Sequence, residues 1–227
     1  RIKGAYYKTQ ADQNKNANWL KRAYLLPRTD DWYISLFTPS QGQISGEATP
    51  DYALLSDKMI AHVHRLLPDA KIIYLLRHPV QRLWSQAAMS HSERFGHEGI
   101  QTISDKRLIS FLKKPENLAH SRYLTNLEKW EKYYPSEQIF TGFFEDISNN
   151  PRKLLKSIFQ FLGVDASDKN ISAMAYRRIN GRDYLPLANY LAHEPAGLLI
   201  KEIEQLHERF DNSYTEQWLS STCHFLS

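Results

Sequence analysis

The chain has 227 residues, 42% of them hydrophobic and 24% charged, with a formal net charge of +4 and a pI near 9.0. That length suits one α/β domain with a substantial core, and the mild basic balance suits an anionic ligand without requiring nucleic acid. A lone Cys223 excludes an intrachain disulfide framework and Cys-rich metal sites, and no apolar run approaches the ~20 residues of a membrane span.

In chain order, Arg1 to Pro27 is polar and basic and reads as a loosely packed arm reaching to about residue 30. Asp30 and Asp31 precede Trp32, Ile34, Leu36 and Phe37, which predict a short helix after an Asp cap. Ile44 to Ala48 is expected as a short strand, stopped by Pro50, with Glu47 at its end. Ser56 to Leu67 is a predicted helix: Met59, Ile60, Val63, Leu66 and Leu67 form an apolar stripe, and Ser56 or Asp57 can cap it. Ala70 to Leu76 is a continuous apolar run, expected as a strand buried on both faces.

Arg77-His78-Pro79 ends that run. Val80, Leu83, Trp84, Ala87 and Ala88 then recur at helical spacing, and Pro79 suits the first helical position. This strand–turn–helix puts Arg77 at the carboxyl end of a strand, beside a helix N-terminus expected to offer free N–H groups to an anion. Arg82 and Ser85 lie one helical turn apart and are expected to overlook the same spot as His78. Residues His91 to Ile103 read as a loop or lid. Tyr123, Leu127, Trp130 and Tyr134 fit a core-facing helix, Gln138 to Phe144 a strand, and Pro151 to Leu162 a helix stopped by Gly163. Three arginines in Tyr176 to Arg182, with Gly181 permitting a left-handed turn, could wrap a phosphate, and Pro186 to Phe210 is mostly helical. The histidines lack metal-site spacing, so no metal is expected.

The run Arg77-His78-Pro79-x-x-Arg82-x-x-Ser85 after a buried strand resembles the 3′-phosphate-binding element of the sulfotransferases, which use 3′-phosphoadenosine 5′-phosphosulfate (PAPS) as sulfuryl donor. The upstream Gly-Glu-Ala-Thr-Pro-Asp-Tyr, the downstream Ser121-x-Tyr123-x-x-x-Leu127-x-x-Trp130 and the Phe143-x-Glu145-Asp146-Ile147 stretch are similar to the same family, including its bacterial and heparan-sulfate-type carbohydrate members. The resemblance implies an α/β fold with a parallel sheet flanked by helices, like that of P-loop nucleotide-binding proteins. It further implies that Arg77 and Ser85 hold the nucleotide 3′-phosphate, and that Gly181 and Arg182 belong to a loop closing over the nucleotide. The acceptor would be a hydroxyl or amine of a carbohydrate or small molecule. The family's Gly-rich 5′-phosphosulfate loop, an N-terminal strand–loop–helix, is not found here, nor is its Lys-Glu-x-His-Tyr/Phe element. The expectation is that this loop lies upstream of Arg1. Glu47 is then the remaining acid–base candidate. The rival reading is a non-catalytic nucleotide-binding protein that keeps the 3′-phosphate site; a kinase lacks support because no Gly-x-x-x-x-Gly-Lys-Ser/Thr loop occurs. The expected compartment is cytoplasmic, or the Golgi lumen if an anchor precedes these residues.

Overall fold

The computed structural model describes residues 13–37, 39, 41–95, 103–172, 175–176 and 187–227. The chain divides into two compact units, Arg1–Pro50 and Asp51–Ser227.

In the first unit, α1 (Gln13–Leu25) and α2 (Asp30–Ser35) are joined by two indoles. Trp19 Nε1 donates to the Leu36 carbonyl at 3.3 Å, and Trp32 Nε1 to the Arg22 carbonyl at 2.7 Å. The expected loose arm is therefore helical from Gln13 onward, because tertiary bonds from α2 hold a segment whose own pattern is mostly polar. The cap of α2 is Thr29, whose side chain accepts from Trp32 N–H, rather than an aspartate. Residues 43–49 have no regular structure and lead into a 3₁₀ turn at Pro50–Leu54, so the strand expected at Ile44 is not formed. A single large apolar residue, Ile44, gives that segment no face to bury, and it is 54% exposed.

The second unit is built on two parallel strands, β1 (Ile72–Leu76) and β2 (Ile139–Phe143), paired from Ile72↔Ile139 to Leu76↔Phe143. Helices surround them in the chain: α3 (Asp57–Leu66) before β1, and α4 (Pro79–Phe95), α5 (Asp105–Leu112), α6 (Pro115–Ala119) and α7 (Tyr123–Glu131) between the strands. After β2 come α8 (Asp146–Asn149), α9 (Pro151–Leu162), α10 (Asp168–Ser172), α11 (Asn189–Phe210) and α12 (Ser213–Leu226). This is the α/β arrangement expected from the sequence. Ser56 caps α3, its Oγ accepting from Met59 N–H at 3.4 Å, and Gly163 ends α9 with φ of +75°.

The main core joins Leu76 of β1 to Val80, Leu83, Ala87 and Ala88 of α4 and to Leu199, Ile203 and Leu206 of α11. A smaller one packs Ile60, Trp130 and Tyr134 against Ile72 and Ile139. Two predicted features need correction. Ile73 is 39% exposed, so β1 is covered on one face more than on the other. The segment from His91 begins as the last turn of α4, since the helix continues to Phe95. Within β2, Gly142 sits in a tight spot: a Cβ there would meet Leu75 Cδ2 at 2.9 Å and Phe140 Cε1 at 3.0 Å, so those side chains would have to shift.

Candidate functional site

Parallel strands of this kind expose their carboxyl ends together, and the two ends here carry Arg77 and Phe144. The ladder runs one step past the strands, with Phe144 N–H donating to the Leu76 carbonyl at 2.6 Å. The Arg77 guanidinium lies over the Phe144 ring, 4.8 Å from its centroid, and that ring is 41% exposed. Its backbone N–H points to the Tyr123 hydroxyl at 3.4 Å. A half-buried cation at the tip of β1 thus sits next to an accessible aromatic face, with its main chain held from behind.

His78 begins α4 in a way the sequence did not reveal. The ring is 2% exposed, and its Nδ1 accepts from Val80 N–H at 3.2 Å. Nε2 therefore carries the hydrogen and faces Ser221 Oγ at 2.9 Å, while the ring stands against Trp218 and Phe225. The signal available in the sequence was its position directly before Pro79, where a side chain can cap a helix. The free N–H groups expected there are mostly spoken for. Pro79 has none, Val80's goes to His78, and Arg82's reaches the His78 carbonyl at 2.8 Å.

Burial lowers the His78 pKa from 6.5 to about 4, and the neighbouring Arg77 cation pushes the same way. A histidine held neutral by the fold contributes fully above the unfolded value of 6.5 and loses that contribution as pH falls toward 4. The native protein should therefore lose about 3 kcal/mol more stability between pH 7 and pH 4 than His78→Asn, which keeps a capping oxygen without a titrating ring. Urea unfolding at the two pH values measures the difference, and equal losses would show that His78 does not report on pH.

Arg82 departs from its predicted role. Its Nε donates to Ser121 Oγ at 2.6 Å and its Nη2 to the Asn117 carbonyl at 2.7 Å, so the side chain braces α4 against α6 and the turn before α7. Ser121 Oγ, fully buried, donates in turn to the Pro79 carbonyl at 3.0 Å. Gln86 joins the same brace through Asn117 Oδ1 at 3.1 Å. His78 and Arg82 thus turn to different elements and do not face one spot with Ser85. Ser85 is half-buried on the flank of α4, about 9 Å of helix axis beyond Pro79. Glu47, in the other compact unit, is exposed in an irregular segment and accepts a hydrogen bond from the Tyr33 hydroxyl. Gly181 and Arg182 lie outside the described residues.

Glu145, in the sequence only a member of a motif, lies just past the carboxyl end of β2. Glu145 Oε1 accepts from Trp218 Nε1 at 2.7 Å, and its Oε2 is buried with no hydrogen-bond partner among the described residues.

The model of the family described as "Sulfotransferase family" matches residues 1–168. The chain belongs to the sulfotransferase family. It is 29% identical over 143 residues to the human bifunctional heparan sulfate N-deacetylase/N-sulfotransferase 2, an alignment covering 59% of this chain and 16% of that protein. It is 27% identical over 139 residues to the human heparan sulfate glucosamine 3-O-sulfotransferase 6, covering 59% of this chain and 39% of that one. The chain thus spans well under half the length of these relatives. A sulfotransferase crystal structure from Alicyclobacillus acidocaldarius superposes with a TM-score of 0.62 at 21% identity, over 95% of this chain and 81% of that chain, which establishes a shared fold. Among the described residues of this sulfotransferase-family chain, no helix is long and apolar enough to cross a membrane.

Proposed function

We propose that this chain binds PAPS and transfers its sulfuryl group to a hydroxyl or amine of a carbohydrate, with Arg77 and Ser85 holding the nucleotide 3′-phosphate. The observation that carries the reading is the placement of Arg77: a cation at the carboxyl tip of β1, directly before α4, with its backbone and guanidinium both engaged by neighbours. Its planar fork matches phosphate oxygens, and the terminus of α4 adds a favourable dipole. Gly181 and Arg182 enter the proposal from the sequence alone, as the loop over the nucleotide. The carbohydrate acceptor is suggested by the relatives, whose names describe heparan sulfate and its glucosamine.

In the reaction, the acceptor oxygen or nitrogen forms a bond to sulfur as the bond from sulfur to the bridging phosphosulfate oxygen breaks. 3′-Phosphoadenosine 5′-phosphate leaves, and the acceptor proton passes to a base. By analogy with phosphoryl transfer, this demands chiefly positioning and cations around dispersed negative charge, with a general base adding to them. Binding of the 3′-phosphate is positional work at a distance from sulfur. Glu47 is the proposed base, its carboxylate positioned by the hydrogen bond it accepts from the Tyr33 hydroxyl.

The test uses the full-length protein with PAPS and a glucosamine-containing polysaccharide. Acceptor-dependent release of 3′-phosphoadenosine 5′-phosphate is expected, and Glu47→Gln should lower kcat by about 10²-fold or more while leaving nucleotide affinity unchanged. Binding of nucleotide with no turnover on any hydroxyl or amine acceptor would overturn the enzymatic reading. Undiminished turnover in Glu47→Gln would remove that residue alone.

A further inference from the structure

Two residues separated by one, Ser121 and Tyr123, grip both ends of the turn that carries Arg77. At the far end, Ser121 Oγ takes the Arg82 Nε–H at 2.6 Å and donates to the Pro79 carbonyl at 3.0 Å. At the near end, the Arg77 N–H is the first donor beyond the β1–β2 ladder, and it is met by the Tyr123 hydroxyl at 3.4 Å. The sequence accounts for Tyr123 as one more aromatic on a core-facing helix, but a core position alone asks only for a ring. A buried hydroxyl is costly unless it is bonded, and this one is enclosed, with the residue 3% exposed.

The tyrosine is itself held. Its ring stands edge-on to Tyr74 with centroids 5.7 Å apart. The first turn of α7 is pinned from α11, because Leu124 N–H donates to Glu202 Oε1 at 2.9 Å. Burial raises the Tyr123 pKa above its ordinary value despite the nearby Arg82 cation, so the phenol stays protonated throughout the working range. The group presented to Arg77 is thus a neutral, rigidly mounted oxygen.

We infer that the Tyr123 hydroxyl is a positioning group for the anion site, fixing the path of the Arg77 backbone so that the guanidinium is aimed before the ligand arrives. The inference rests on the assignment of Arg77 to the 3′-phosphate. Tyr123 touches no ligand; it acts by removing freedom that binding would otherwise have to remove. The effect should therefore belong to the 3′-phosphate and vanish when Arg77 is absent.

Calorimetric titration of the full-length protein with 3′-phosphoadenosine 5′-phosphate and with adenosine 5′-phosphate separates the two levels. If the native protein does not prefer the former, the assignment of the site fails, whatever Tyr123 does. Given that preference, Tyr123→Phe should weaken 3′-phosphoadenosine 5′-phosphate roughly three- to tenfold, leave adenosine 5′-phosphate unchanged, and add nothing to Arg77→Ala in the double variant. Native affinity in Tyr123→Phe, equal weakening of both nucleotides, or full additivity would each overturn the inference. A measurement on the native protein stands independently of whether the variant folds. The Arg77 amide should be protected from hydrogen exchange, and exchange at the rate of an exposed turn amide would sink the brace.

Discussion

Replacing Arg77 with alanine lowers affinity for 3′-phosphoadenosine 5′-phosphate roughly 10- to 100-fold, the about 1.5–3 kcal/mol of a charge-assisted hydrogen bond, and leaves adenosine 5′-phosphate nearly unaffected. The selectivity follows from the group removed. In the proposed site, the guanidinium faces only the phosphate that distinguishes the two ligands. The fold should tolerate the change, because the buried attachment of this residue is its backbone N–H to Tyr123, which alanine retains. Among the contacts the side chain gives up is the one with the 41% exposed Phe144 ring, about 0.5–1 kcal/mol for a cation at an exposed site. Arg77→Lys keeps the charge without the fork and should recover only part of the loss. Equilibrium titration beside a thermal melt decides the matter. Unchanged affinity, or equal loss for both nucleotides, would take Arg77 out of the site.

That Arg77 stands at a strand tip was readable because two local signals coincide there. A β-branched apolar run stops where a 3.6-residue period begins, and Pro79 marks the join, since a proline at that point costs the helix nothing. The cap at Ser56 and the left-handed stop at Gly163 were legible for the same local reason. Helix α12 also carried such a signal: Asn212 accepts from Thr215 N–H while the Thr215 side chain bonds back to Asn212, a capping box spelled out in four residues. The failures are those where the partner is far along the chain. α1 is held by indole bonds from Trp19 and Trp32, and nothing in its own mostly polar pattern predicts them. The strand expected at Ile44 had one large apolar residue, and among the described residues no strand pairs with it. Arg82 shares a helical flank with Ser85, but where a long side chain ends depends on what it can reach. Here it reaches Ser121, 39 positions away.

Arg82→Ala should then behave as a structural lesion rather than a lost ligand contact. It removes the donors that satisfy Ser121 Oγ and the Asn117 carbonyl, and it empties the volume of the aliphatic stem. Each buried acceptor left unmatched costs about 1–3 kcal/mol, so the sum is about 2–4 kcal/mol once some relaxation is allowed. An opposing effect limits the loss. Burial pulls the Arg82 pKa below its ordinary value, a sign that the fold spends free energy keeping that cation away from water, and alanine relieves this cost. Arg82→Met separates the contributions, because it fills the stem's volume while removing the charge and the donors, so it should cost less than alanine yet keep the loss that comes from the unmatched acceptors. For a chain of this size the alanine variant should melt about 5–12 °C lower. Its loss of nucleotide affinity, measured where both proteins are folded, should be smaller than that of Arg77→Ala. The reverse order, with affinity gone at native stability, would move Arg82 from the frame of the site into the site itself.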